Sequence, residues 1–91
     1  METTIRILVL GKVTGVSFRS EAKKFADSIG ISGTISNLEK NVVEVFAQGD
    51  QNQISEFLSW CSKGSKNAKV KSLEYHYLDG YSKMDSFEIV E

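Results

Sequence analysis

Isoleucine, leucine and valine dominate the run from Thr4 to Lys12, interrupted by Arg6. So many branched apolar residues in one short stretch predict a strand buried on both faces. Farther on, Phe18, Ala22, Phe25, Ala26 and Ile29 recur at spacings of four, three, one and three, which lines one face of a helix. Ser17 stands where an N-cap is expected and Gly30 where a helix stops. Two more strand-like runs, Gly33 to Leu38 and Val42 to Gln48, flank the polar break Glu39-Lys40-Asn41 and predict a hairpin. Asp50 with Gln53 reads as a capping box ahead of Ile54, Phe57, Leu58 and Cys61, so a second amphipathic helix should run to about Lys63 and end at Gly64. Val70 to Leu78 and Ser86 to Val90 finish as strands. In the first of them Leu73, Tyr75 and Tyr77 alternate with Ser72, Glu74 and His76.

The order is β-α-β-β-α-β with a short extra strand. It implies an α+β fold, a ferredoxin-like sandwich in which two helices cover one face of an antiparallel sheet. A chain of 91 residues has room for one core, so residues 1–91 are expected to form a single domain. Hydrophobic content of 41% with 25% charged residues is that of a soluble globular protein. The net charge of −1 and pI near 5.8 provide no global footprint for nucleic acid. Any anion must therefore be held by local geometry. The single cysteine, Cys61, rules out an internal disulfide framework, offers no metal-ligand cluster, and falls on an apolar helical stripe as a core residue would. The apolar run Ile5 to Leu10 is too short and too interrupted for a membrane span or a secretion signal, so a cytoplasmic home is expected.

Chemistry concentrates between the first strand and the first helix, in Gly11-Lys12-Val13-Thr14-Gly15-Val16-Ser17-Phe18-Arg19. A glycine-bearing turn that opens a helix presents unpaired backbone N–H groups and the positive end of the helix dipole to an anion. Arg19, in the first helical turn, adds a planar fork matched to phosphate oxygens. The loop is no Walker A sequence, because no Gly-Lys-Ser/Thr ends it. Taken alone, its spacing fits an ordinary tight turn beside a solvated arginine at least as well.

Elsewhere the chain carries little catalytic signal. His76, the only histidine, has no visible nucleophile beside it. Trp60 lies one position off its helical stripe, as a partly buried packing residue would. Glu39, Glu44, Asp50 and Glu56 are scattered, with no spacing that demands a metal or a paired acid and base. Lys63, Lys66, Lys69 and Lys71 read as a solvated face. Asn37 differs by its expected place: in this topology its strand should end close to the loop after the first strand. An amide there could hold a water by donating and accepting at once.

These residues together resemble the acylphosphatase family. Its Gly-x-Val-x-Gly-Val-x-Phe-Arg loop is matched by Gly11, Val13, Gly15, Val16, Phe18 and Arg19, and its Gly-x-Val-x-Asn strand by Gly33, Ile35 and Asn37. Ala26, Gly30, Ala47-Gln48-Gly49 and Phe87-Glu88-Ile89 continue the likeness along nearly the whole chain. The resemblance implies metal-independent hydrolysis of the carboxyl–phosphate bond of small acyl phosphates, without a cofactor, giving a carboxylate and inorganic phosphate. It implies Arg19 as the phosphate-binding arginine, Asn37 as the residue that positions the attacking water, and Thr14, Gly15, Val16, Ser17 and Phe18 as the loop whose amides cradle phosphate. It implies a monomer that needs neither nucleic acid nor membrane. Departures from the family pattern fall at Thr14, usually Gln; at Ser17, usually Gly; at Thr34, usually aromatic; and at Lys40-Asn41, usually Asp-Gly. Two rival readings share the fold. One is a catalytically idle phosphate-binding or regulatory domain. The other is an RNA-binding module, which would display stacking aromatics on its central strands, where only Phe46 stands.

Overall fold

The computed structural model describes residues 2–90. Strand β1 (Thr3–Lys12) is followed by helix α1 (Phe18–Ile29), the hairpin β2 (Ser32–Glu39) and β3 (Val42–Gly49), helix α2 (Gln51–Lys63), strand β4 (Lys69–Leu78) and the short β5 (Phe87–Ile89). The sheet order is β4-β1-β3-β2-β5. Four strands pair antiparallel as the pattern implies, but β5 joins β2 in parallel, so the five-stranded sheet is mixed.

The cause of that parallel pairing is visible at Gln48. Its buried side chain donates to the Thr4 hydroxyl (2.9 Å) and the Ser82 carbonyl (3.1 Å), and accepts from the Met84 N–H (2.7 Å). Tyr81 stacks on Phe46, with ring centroids 5.9 Å apart. These contacts draw the segment after β4 across the helix-free side of the sheet to the opposite edge. The chain therefore enters β5 in the same direction as β2.

Both helices lie on the other side. There Ile5, Ile7 and Val9 of β1 and Val43, Val45 and Ala47 of β3 are buried with Phe18, Ala22, Ala26, Ile54, Phe57 and Cys61. Strand β1 is thus buried on one face rather than both. Its other face, Arg6, Leu8 and Leu10, is half-buried, because the described residues form no second helical layer to cover it. Arg6 answers that exposure by pairing with Glu44 across the strands at 2.7 Å. Tyr75 and Tyr77 share the helix side with their partners Ile7 and Ile5, yet they stay 44% and 56% exposed at the edge strand, beyond the helices' reach.

Trp60 is half-buried, stacked near Phe25 (5.9 Å) and tilted against Phe18 (5.2 Å). Asn41 closes the hairpin at φ 66°, a left-handed angle that asparagine tolerates better than most residues.

Candidate functional site

Strand β1 delivers the chain to one end of the sheet, where β2, β3 and β5 also present their ends. The Gly11 N–H donates to the Asn41 carbonyl (3.0 Å), tying the hairpin turn to the start of the loop. Val13 and Phe18 are buried and pin the loop at both sides. Between them Gly15 (φ 72°) and Ser17 (φ 61°, ψ 19°) both adopt left-handed backbone. A Cβ on Gly15 would meet nothing within 4 Å, so the angle, and not space, calls for glycine there. Ser17 adopts the same kind of angle with a side chain attached, a strained choice for a residue other than glycine.

That angle overturns the expected N-cap. Ser17 occupies the cap position, but its hydroxyl makes no capping hydrogen bond. A capping residue needs extended backbone to aim its oxygen at the first amides, and left-handed backbone turns the side chain away. The Ser17 carbonyl instead accepts from the Glu21 N–H (3.1 Å) and the Ser20 hydroxyl (3.2 Å). Among the described residues, no backbone N–H from Thr14 to Ser17 donates to a protein acceptor. The first amides of α1 are unpaired by helix geometry as well.

Of these residues, Gly15, Ser17 and the first of α1 border a cavity of about 270 Å³, lined by Val13, Gly15, Ser17, Phe18, Arg19, Ser20 and Ile89. Arg19 is half-buried and makes no ion pair or side-chain hydrogen bond among the described residues. A guanidinium, a row of free amides and a helix N-terminus on one concave surface suit a tetrahedral oxyanion. Among the described residues no three His, Cys, Asp or Glu side chains gather as a metal site would require.

The structure therefore brings Gly15, Ser17, Phe18 and Arg19 together. Thr14 and Val16 do not line the cavity: Val16 packs toward the core and its carbonyl accepts from the Ser65 hydroxyl (3.0 Å). Asn37 is also outside the lining. It lies exposed on β2, one same-face step beyond Ile35, whose parallel partner Ile89 does line the cavity. Asn37 thus lies outside the cavity lining, at the same end of the sheet. Sequence reasoning missed Ser20, Ile89 and Ser65. The first two carry no chemical signature, and Ser65 reaches the loop from 49 positions away in sequence.

Comparison with known proteins points to one family. The acylphosphatase family model matches residues 5–89. The chain is 45% identical over 69 residues to an acylphosphatase of Legionella pneumophila (strain Corby), covering 76% of each protein. It is 30% identical over 84 residues to an acylphosphatase of Roseiflexus sp. (strain RS-1), covering 92% of this chain and 90% of that one. The crystal structure of acylphosphatase from Bacillus subtilis superposes with a TM-score of 0.93 at 30% identity, over all of both chains.

Proposed function

The chain belongs to the acylphosphatase family, hydrolases acting on acyl phosphates, and from that premise we propose how its own residues divide the work. An acyl phosphate is already activated, since its leaving group is a stable carboxylate. The protein has to hold the phosphoryl group, offset its charge and place a water in line. Arg19 and the amides of Thr14 to Phe18 perform the first two tasks. Asn37, at the same end of the sheet, orients the water by accepting a hydrogen bond from it and donating one to its oxygen. The water oxygen bonds to phosphorus as the bond to the carboxylate oxygen breaks. The carboxylate leaves with that electron pair, and the water's proton passes to a phosphate oxygen. No protein base takes part.

One observation carries this reading: an arginine that has no protein partner among the described residues shares a cavity with Gly15 and Ser17, whose amides donate to no protein acceptor there. The same features favour a small acyl phosphate as the substrate, and we read the protein as a monomer working in the cytoplasm. No helix among the described residues is long and apolar enough to cross a membrane. Against an RNA-binding role, Arg6 on the open sheet face is engaged by Glu44, and Phe46 lies beneath Tyr81.

The test is hydrolysis of benzoyl phosphate after exhaustive chelation. Turnover that persists in EDTA and falls sharply in Arg19→Ala supports the assignment. Turnover that needs added Mg²⁺ or Zn²⁺ overturns it. Phosphate binding without turnover would favour the idle-domain reading, for which the strained Ser17 at the cavity wall is the one specific argument.

A further inference from the structure

We infer that Ser65 is a positioning residue that aims the Ser17 amide into the anion cavity. The inference rests on the reading of that loop as a phosphate cradle. Ser65 lies in the connection between α2 and β4, is only 5% exposed, and donates its hydroxyl to the Val16 carbonyl at 3.0 Å. A trans peptide is planar, so the Val16 carbonyl and the Ser17 N–H point in opposite directions. Holding the carbonyl from behind the loop therefore turns the N–H forward, where Ser17 lines the cavity.

The alternative orientation of that peptide is the one to avoid. Left-handed backbone at Ser17 is strained, and a flip of the preceding peptide is the simplest way to relieve it. A flipped peptide would direct the Val16 carbonyl, with its partial negative charge, at the bound anion. Ser65 opposes the flip, because its buried hydroxyl and the Val16 carbonyl would both lose their partner.

The base of this tether is itself fixed. The Ser65 carbonyl accepts from the Ala68 N–H at 3.0 Å. A Cβ placed on Gly64 would approach Phe18 Cε2 to 3.2 Å, so the α2–β4 connection already sits against the aromatic floor of the site. A donor held on such a base can act at a distance on a loop it does not otherwise belong to.

The test compares the parent protein with Ser65→Ala and Ser65→Thr, using inorganic phosphate as the probe and benzoyl phosphate as substrate. In the parent, the Ser17 amide resonance should move on phosphate titration. In Ser65→Ala that response should shrink, the inhibition constant of phosphate should rise about tenfold, the scale of one hydrogen bond, and kcat should fall. Ser65→Thr keeps the hydroxyl and should restore the amide response and the inhibition constant, even if its added methyl lowers the melting temperature. A Ser65→Ala protein of lower melting temperature but unchanged phosphate inhibition and amide response would reduce Ser65 to a structural contact. Should Ser65→Ala fail to fold, Ser65→Thr decides: a lost amide response there overturns the inference and a retained one supports it. Silence of the Ser17 amide in the parent itself would instead remove the cradle reading, and this inference with it.

Discussion

Gln53 of α2 donates from Nε2 to the Ile29 carbonyl at 2.9 Å, while its Oε1 accepts from the Asp50 N–H at 2.8 Å. One side chain thus completes the capping box of α2 and satisfies a carbonyl at the end of α1. Gln53→Glu keeps the acceptor but can no longer donate to Ile29, and it brings a negative charge to the negative end of a helix dipole. Urea unfolding should show a loss of about 1 kcal/mol for Gln53→Glu and about 2 kcal/mol for Gln53→Ala, with unchanged m. Parent-like stability of Gln53→Glu would show that the bridge between the helices contributes nothing.

Ser17 holds a left-handed angle at a cost that glycine would not incur. Ser17→Gly should stabilise the protein by about 0.5–1 kcal/mol, the backbone relief less the extra entropy of an unfolded glycine. Ser17→Val should lose more than about 2 kcal/mol, since a branched Cβ suits that region least. Denaturant midpoints for the pair decide the matter, and destabilisation by Ser17→Gly would mean that the angle is not strained.

Arg19 and Asn37 should fail in different ways. Arg19→Ala should lose both phosphate affinity and turnover, and Arg19→Lys should rescue poorly because it lacks the bidentate fork. Asn37→Ala should bind phosphate nearly as the parent does, while kcat drops about a hundredfold or more. A folded Asn37→Ala protein with near-normal kcat would end its water-positioning role, whatever the arginine variants show.

Burial pushes the Cys61 thiol well above its ordinary value of 9.0. The unfolded chain releases this proton near pH 9 whereas the native protein keeps it, so the native state binds more protons above that pH. Its contribution to stability is complete below pH 9 and declines above it, by about 1.4 kcal/mol per pH unit. Cys61→Ala should flatten that part of the stability profile, although it lowers the whole curve by opening a small cavity. The native thiol should also resist Ellman's reagent until the protein unfolds. Rapid labelling under native conditions would contradict the burial.

The element order was legible because each helix carries its own periodicity and its own stops: the stripe from Phe18 to Ile29 with Gly30 behind it, and the box formed by Asp50 and Gln53. Those signals are local, and local sequence states them directly. What stayed hidden depends on partners far away. The half-exposed face of β1 follows from the absence of a second helical layer, which no run of apolar residues announces. The parallel direction of β5 follows from Gln48 gripping Ser82 and Met84. At the site, Gly15 and Arg19 were legible from type and spacing. The failed cap at Ser17 was not, because it turns on a backbone angle that a serine in sequence does not reveal. Ile89 enters the cavity wall only through strand pairing with Ile35.

That last pairing bears on when the site comes into being. Arg19 and Ile89 are some seventy positions apart in sequence, yet they border one cavity. Closing so long a stretch of chain is among the slower steps in building such a sheet, because its entropic cost falls due before the contacts reward it. Helix α1 and its loop can form early from local interactions, but they then present only part of a wall. On the proposed reading, anion capture is therefore a property of the finished topology, and a bound phosphate would report that the outermost strand has docked.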